Sequence, residues 1–341
     1  MLERDFYGPD PSLEQRTYGT VRGLVESYQD PYTYFVEPQP RELERDQLRG
    51  RFGGIGAWIE QDAAGYFLRP MPDRPAAQAG VQTGDRLLAV DGQAITRETP
   101  LEQVTSLIRG PVDTEVCLDL ARPAGDGPSS TWAVCILRAE IETLSVEWRL
   151  LEAPDAPAPI GYIRQTLFSE RSATEMQAAL EELTAGGADR FILDLRGNPG
   201  GLVDAAVDVA SLWLDDQPVL VQRQADGEEK VFTAAVGDPS RGAPLVVLVD
   251  GSTASAAEIL AGALQDHGRA VLVGQPTFGK GSVQLVHDLV DGSSLHVTTA
   301  HWFTPAGRAL EGAGLTPDVG VEEGADPLER AMQIVGEMVG P

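Results

Sequence analysis

Basic side chains are scarce in this sequence. Lys and Arg number 26 against 52 Asp and Glu, a formal net charge of −26. Such a field repels nucleic-acid phosphates and anionic lipid, so no nucleic-acid or membrane-surface partner is expected. Cysteine is nearly absent: Cys117 and Cys135 are too few for a disulfide framework or a thiolate metal site. They lie in EVCLDL and WAVCIL, strand-like runs of one hairpin that could set them opposite each other. Two buried free thiols are the expected state. Histidine occurs at His267, His287, His296 and His301, never in H-x-x-x-H or H-E-x-x-H spacing, so no metal site is expected. No apolar run approaches the roughly 18 residues of a membrane span. The opening MLERDFYGPD has neither the basic nor the apolar stretch of a signal peptide, and none is expected.

What remains is a globular composition, 42% hydrophobic over 341 residues. That length corresponds to about two domains and can bury a core without staples. Residues 1–48 read as a charged helical segment, with helices over Pro11–Ser27 and Pro40–Leu48. The aromatic, Pro-rich YQDPYTYFVEPQP between them reads as an extended arm or packing segment. From Phe52 to about Glu140 the pattern is short strands, turns and one helix. Thr99 is the expected N-cap of that helix, with Pro100 at N1 and Glu102 completing a capping box. Its apolar stripe is Leu101, Val104, Leu107 and Ile108, and Gly110-Pro111 ends it. RLLAVDGQAI reads as two short strands about Asp91-Gly92.

After APDAPAPI (153–160) the pattern alternates strand and helix. GYIRQTLF is a strand and 170–185 a helix. FILDLRG is a buried parallel-type strand, and LVDAAVDVASLWL a helix. PLVVLVD, Ala254–His267 and AVLVG then read as strand, helix and strand. SVQLVHDL and SLHVTTAHWF form a hairpin about Asp291-Gly292. The biased stretches RPAGDGPSS (122–130) and 153–159 are expected to be flexible.

Three strand-to-loop junctions in the second half are of the kind at which ligands gather in α/β sheets. Arg196-Gly197-Asn198-Pro199-Gly200-Gly201 frees backbone N–H groups, although a plain βα turn would look similar. Asp250-Gly251-Ser252-Thr253-Ala254-Ser255-Ala256-Ala257-Glu258 puts hydroxyls at a helix N-terminus, where negative charge is favoured. A nucleophile whose attack creates an oxyanion suits that place, yet Ser252, Thr253 and Ser255 would each also serve as a simple cap. Thr277-Phe278-Gly279-Lys280-Gly281-Ser282-Val283-Gln284 sets a lysine among glycines. Beside apolar groups its amine loses solvation and becomes a general base; otherwise it is a surface lysine. Gly274-x-x-x-x-Gly279-Lys280 nearly matches a phosphate-binding loop. Gly281 stands where Ser or Thr should bind Mg²⁺, and a strand follows instead of a helix. Asp266-His267 end the helix that Ser255 starts, roughly 15 Å of helical rise away. Ser plus Lys is therefore the better constellation.

DLRGNPGGLVDAA, VLVDGSTASAAEILAGALQDHGRAVLVG and PTFGKGSVQ resemble the carboxyl-terminal (tail-specific) processing proteases, the S41 serine peptidases. FGGIG, AAQAGVQTGDRLLAVDGQ and the capped helix resemble the PDZ domain of that family, and DPYTYFVEP its N-terminal region. The resemblance implies an α/β fold: a crotonase/ClpP-like protease core over 141–325, an inserted α+β PDZ domain over 52–140, an N-terminal helical segment over 1–48 and a C-terminal helix over 326–341. It makes Ser255 the nucleophile, with Ser252 as competitor, Lys280 the general base and Gln284 the residue that orients it. The oxyanion hole is implied to use the N–H of Ala256 and of Gly200 or Gly201. No cofactor is implied. Ala257 stands where the family often has Ser, which leaves the Ser-Lys pair intact.

In the PDZ-like segment, Phe52, Gly53, Gly54, Ile55 and Gly56 would receive a substrate's C-terminal carboxylate, with Val104 and Ile108 beside its last side chain. Arg51 adds charge there or is simply exposed. The implied partners are proteins or peptides with accessible C-termini, with an adaptor and a homodimer through the terminal segments as further candidates. The implied location is outside the cytoplasm. The rival reading is a non-catalytic PDZ scaffold on an inactive protease core.

Overall fold

The computed structural model describes residues 5–124, 127–152, 158–322 and 324–338, without the side chains of 124–129. The chain divides into two compact units, one of Arg45–Thr143 and one of Met1–Glu44 with Leu144–Pro341. Among the described residues no helix is long and apolar enough to cross a membrane.

The N-terminal arm comprises helix α1 (Leu13–Glu26), strand β1 (Tyr34–Val36) and helix α2 (Pro38–Arg49). A reciprocal capping box starts α1: Ser12 Oγ accepts from Gln15 N, and Gln15 Oε1 accepts from Ser12 N. That satisfies two otherwise orphaned donors.

The second unit holds β2 (Arg51–Gly54), β3 (Ala57–Asp62), β4 (Gly65–Pro70), α3 (Pro75–Gln78), β5 (Asp85–Val90), β6 (Gln93–Ala94), α4 (Leu101–Ile108), β7 (Glu115–Ala124), β8 (Gly127–Leu137) and β9 (Ala139–Glu142). Strands β3-β4-β5-β7-β8 form an antiparallel sheet, with β6 on β5 and β2 paired separately with β9. Val104 and Ile108, one turn apart on α4, are buried with Ile55, Leu68 and Leu118 in its core. The helix begins one residue later than the sequence predicts. Pro100 occupies the N-cap without a side-chain hydrogen bond, because Thr99 Oγ1 turns back to accept from Thr96 N. At the other end the buried Arg138 donates to the carbonyls of Leu107 and Ile108.

The expectation of free thiols is overturned. Cys117 on β7 lies directly opposite Cys135 on β8, and the two form a disulfide. Strand alternation explains the error: Val116, Leu118 and Leu120 point into the core, so Cys117 points outward. Bridging two positions 18 apart in sequence stabilises by ~3 kcal/mol for loops of about that size. The hairpin also runs further than expected, with Arg122 opposite Ser130 and Ala124 opposite Gly127. The flexible stretches expected over 122–130 and 153–159 otherwise fall, at 125–126 and 153–157, outside the described residues.

The first unit continues with β10 (Val146–Leu151), β11 (Ile160–Gln165), α5 (Ser172–Ala185), β12 (Phe191–Asp194), α6 (Val203–Ala210), β13 (Pro218–Gln224), β14 (Glu229–Thr233), β15 (Leu245–Val249), α7 (Ala256–Asp266), β16 (Val271–Gly274), β17 (Ser282–Asp288), β18 (Ser294–Phe303), β19 (Val319–Gly320) and α8 (Pro327–Glu337). The central sheet runs β10-β11-β12-β15-β16-β19. Strands β11 to β19 are parallel and β10 antiparallel. Every residue of FILD and LVVLV is buried, because helices cover both faces. Side chains of α5, α6 and α7 pack on one, and Ala331 and Val335 of α8 on the other. Since β12 and β15 are neighbours, their carboxyl-end loops meet. A second sheet, β1-β18-β13-β14 with β17 on β18, holds the segment that follows Lys280.

Candidate active site

The loops after β12 and β15 are stitched together by side-chain and backbone groups. Asp250 Oδ1 accepts from Gly197 N and Ser252 N. Thr253 Oγ1 donates to Leu195 O, and Ala254 N donates to Asn198 O. Thr253 is buried and Ser252 exposed. The half-buried Ser255 stands at the N-cap of α7 with φ +54°, a left-handed conformation that is costly outside glycine and turns up at functional sites.

Glu258, one turn into α7 and fully buried, holds this turn to the lysine loop. Its Oε2 accepts from Ser255 N and from Lys280 N, each at 2.9 Å. Its Oε1 accepts from Gly279 N at 2.8 Å and from Thr277 Oγ1. Four donors therefore compensate one buried carboxylate, as burial of a charge demands. The one signal of this residue in the sequence is Ser255-x-x-Glu258, a capping-box signature.

Lys280 is half-buried. Burial pushes its amine below the usual lysine range, against the opposing charges of Glu311 and Glu44. Its Nζ donates to Gln284 Oε1 at 3.0 Å. Among the described residues no hydrogen bond joins that Nζ to Ser255 Oγ. The flanking glycines permit close backbone approach: a Cβ on Gly279 would lie 2.8 Å from Gly314 N, and one on Gly281 2.8 Å from Glu311 N. The phosphate-loop likeness fails here for a physical reason. The N–H groups of Gly279 and Lys280 point at Glu258, and that of Gly281 at Glu311 Oε2. Carboxylates fill the cradle a phosphate would need.

The two candidate glycines differ. Gly200 N donates to Asn198 Oδ1 at 2.8 Å, and the buried Asn198 is held by Gln165 O. Gly200 abuts the serine: its Cβ would lie 2.8 Å from Ser255 Cβ and 3.0 Å from Ala256 N. Gly201 backs onto the chain at Phe168, where a Cβ would lie 2.2 Å from the carbonyl oxygen. Hydrogen bonds through Glu258 thus join Ser255 to the backbone of Lys280, whose amine bonds Gln284, and Gly200 lies against Ser255 and Ala256.

In the second unit, Phe52 carries the Arg109 guanidinium 3.8 Å above its ring. Gly53 O accepts from Gly110 N, and Ile55 O from Ala76 N. Gly56 has φ +68°, and a Cβ there would strike Arg74 Cβ at 2.3 Å. Arg51 pairs with Glu140 across the β2–β9 ladder. Val104 and Ile108 are core residues.

The sequence profile of peptidase family S41 matches residues 159–321, and that of the PDZ domain residues 66–122. This chain belongs to peptidase family S41, a serine-type peptidase family, and carries a PDZ domain. A carboxyl-terminal-processing protease of Picosynechococcus sp. is 38% identical over 336 residues, covering 97% of this chain and 79% of that protein. A carboxy-terminal-processing protease of Bartonella bacilliformis is 34% identical, covering 94% and 73%. The solved structure of a photosystem II D1 C-terminal processing protease superposes with a TM-score of 0.57 at 33% identity, covering 97% of this chain and 89% of that one.

Proposed function

We propose that this peptidase cleaves protein substrates selected by their C-terminal tails, with Ser255 as nucleophile and Lys280 as general base. One observation carries the assignment. A single carboxylate oxygen, Glu258 Oε2, accepts the N–H of both residues, so nucleophile and base are anchored to one point. Neutral Lys280 takes the proton of Ser255 Oγ as the oxygen attacks the scissile carbonyl. The bond between Ser255 and substrate forms as the C=O electrons move to oxygen. The oxyanion then collapses and the C–N bond breaks as Lys280 gives the proton to the leaving amine; water, deprotonated by Lys280, attacks the ester, and the proton returns to Ser255 Oγ as the acid product leaves. The tetrahedral oxyanion accepts from Ala256 N–H at the start of α7 and from Gly201 N–H. Gly201 is preferred because Gly200 N–H already serves Asn198.

The PDZ unit receives the tail, with Gly53 to Gly56 toward the terminal carboxylate. The Cys117–Cys135 bridge supports residence in an oxidising compartment outside the cytoplasm, since such bridges are reduced in the cytosol.

The test is cleavage of a loosely folded reporter with an apolar C-terminal tail. Ser255→Ala and Lys280→Ala are each expected to lose at least about 10⁴-fold in kcat/KM, with Ser252→Ala near wild type. A Ser252→Ala variant as inert as Ser255→Ala would refute the choice of nucleophile. Full activity of Lys280→Ala would refute the dyad.

The base must be neutral to act. Activity is therefore expected to rise with pH through the lowered Lys280 pKa, giving an acid limb in kcat/KM below the ordinary lysine range. A limb at the ordinary lysine value would contradict a desolvated base.

A further inference from the structure

The tip of the N-terminal arm reaches the base. Gln284, which accepts from Lys280 Nζ at 3.0 Å, donates its own Nε2 to the main-chain oxygen of Tyr32. The Tyr32 ring centroid lies 5.2 Å from Lys280 Nζ, close enough to shield the amine from water. Tyr32 belongs to none of the strands and helices that build the protease core. It lies 252 residues before Gln284.

Several bonds fix the arm in this register. Asp30 Oδ1 accepts from Tyr32 N at 3.1 Å, and Asp30 Oδ2 from Thr33 Oγ1 at 2.6 Å. Thr33 Oγ1 accepts in turn from Thr298 N at 3.1 Å. One step further, β1 pairs with β18, with Tyr34 opposite His296 and their rings stacked at 4.5 Å.

The chemistry of an amide gives this contact its meaning. A glutamine side chain can present either its oxygen or its nitrogen to a neighbour. A main-chain carbonyl only accepts. The Tyr32 carbonyl therefore binds the amide nitrogen and turns Oε1 toward Lys280. That oxygen accepts a hydrogen bond from the lysine and so aims the nitrogen lone pair elsewhere, which is what a base that must act on a third group requires. Without the carbonyl, Gln284 can rotate and offer Lys280 a donor instead. The ring, meanwhile, occupies space beside the amine that water would otherwise fill.

We propose that Tyr32 is a positioning residue of the peptidase: its carbonyl orients the Gln284 amide and its ring covers the Lys280 amine, so the N-terminal arm completes the catalytic apparatus. The proposal rests on Lys280 being the base.

Full-length variants on the tailed reporter test it. Tyr32→Phe keeps both carbonyl and ring and is expected to keep wild-type kcat. Tyr32→Ala is expected to lose roughly 10- to 100-fold in kcat, the cost of a displaced catalytic group, with KM unchanged because the substrate's tail is bound elsewhere. Asp30→Asn, which shifts the Tyr32 carbonyl, should cost little more once Gln284→Ala has been made, since both act through the same amide. Asp30→Asn, which loosens the turn without touching the ring, should reproduce the kcat loss and covers the case in which Tyr32→Ala does not fold. Wild-type kcat in Tyr32→Ala, or equal losses from Asp30→Asn with and without Gln284, would overturn the proposal while leaving the dyad intact. Retained cleavage by Lys280→Ala would instead overturn the dyad, and this proposal with it.

Discussion

Glu258→Gln is expected to lower kcat by about 10²–10³-fold, more than any other conservative substitution outside the dyad. The two oxygens of Glu258 face four donors: Ser255 N and Lys280 N on one, Gly279 N and Thr277 Oγ1 on the other. Glutamine offers one acceptor oxygen and an NH₂ group. Whichever way the amide turns, its nitrogen meets two donors. Each buried group left unsatisfied costs ~1–3 kcal/mol, and the site relieves that cost by moving apart. Either Ser255 or the glycine-flanked lysine loop shifts, and a displacement of about 1 Å is worth roughly 10²-fold in rate. Reporter kinetics and thermal unfolding of Glu258→Gln settle the point. Unchanged kcat would mean that the shared carboxylate is structural decoration around a site held by other contacts.

The second large effect is expected for Gly200→Ala. A methyl group there would lie 2.8 Å from Ser255 Cβ, 2.9 Å from Ala254 O and 3.0 Å from Ala256 N, at φ +106°. Two of those three atoms are main chain, so the clash cannot be relieved by turning a flexible side chain. The nucleophile or the start of α7 must move, and labelling of Ser255 by a fluorophosphonate probe should slow by at least about 10²-fold. Gly197→Ala is the control. Its φ is also positive, at +71°, but nothing lies within 4 Å of the added carbon. Only backbone strain of ~1 kcal/mol is then expected, with near-normal labelling. Equal labelling rates in the two variants would show that proximity to Ser255 is not what makes Gly200 matter.

Much of this arrangement was legible in the sequence because it is local. FILDL and PLVVLVD are unbroken apolar runs, and such runs become parallel strands buried on both faces. The glycine-rich and serine-rich segments that follow them are loops at the carboxyl ends of neighbouring strands. What escaped the sequence is pairwise and distant. Glu258 reads as an ordinary first-turn acid until the chain returns with Thr277 to Lys280. Cys135 sits in WAVCIL, which looks fully apolar, whereas Glu115, Cys117 and Asp119 alternate with Val116 and Leu118, and that in-out alternation sets the thiols away from the core. Thr99 has the right chemistry for a cap and the right place. A competing donor, Thr96 N, takes its hydroxyl. Local propensity offered both bonds, and the turn before the helix prevailed. The bond from Gln284 to Tyr32 carries no signal, because its acceptor is a main-chain oxygen that every residue possesses.

The pairing of β1 with β18 has a consequence for the life of the chain before it is complete. Residues 34–36 are made long before their partners 294–296. The segments carrying Ser255 and Lys280 are thus both present on the ribosome before the sheet beside the base can close. Contacts of such long sequence separation form late, since the intervening loop must first be ordered. The lysine loop therefore lacks its neighbouring arm until residues 294–296 have been made and can pair with residues 34–36.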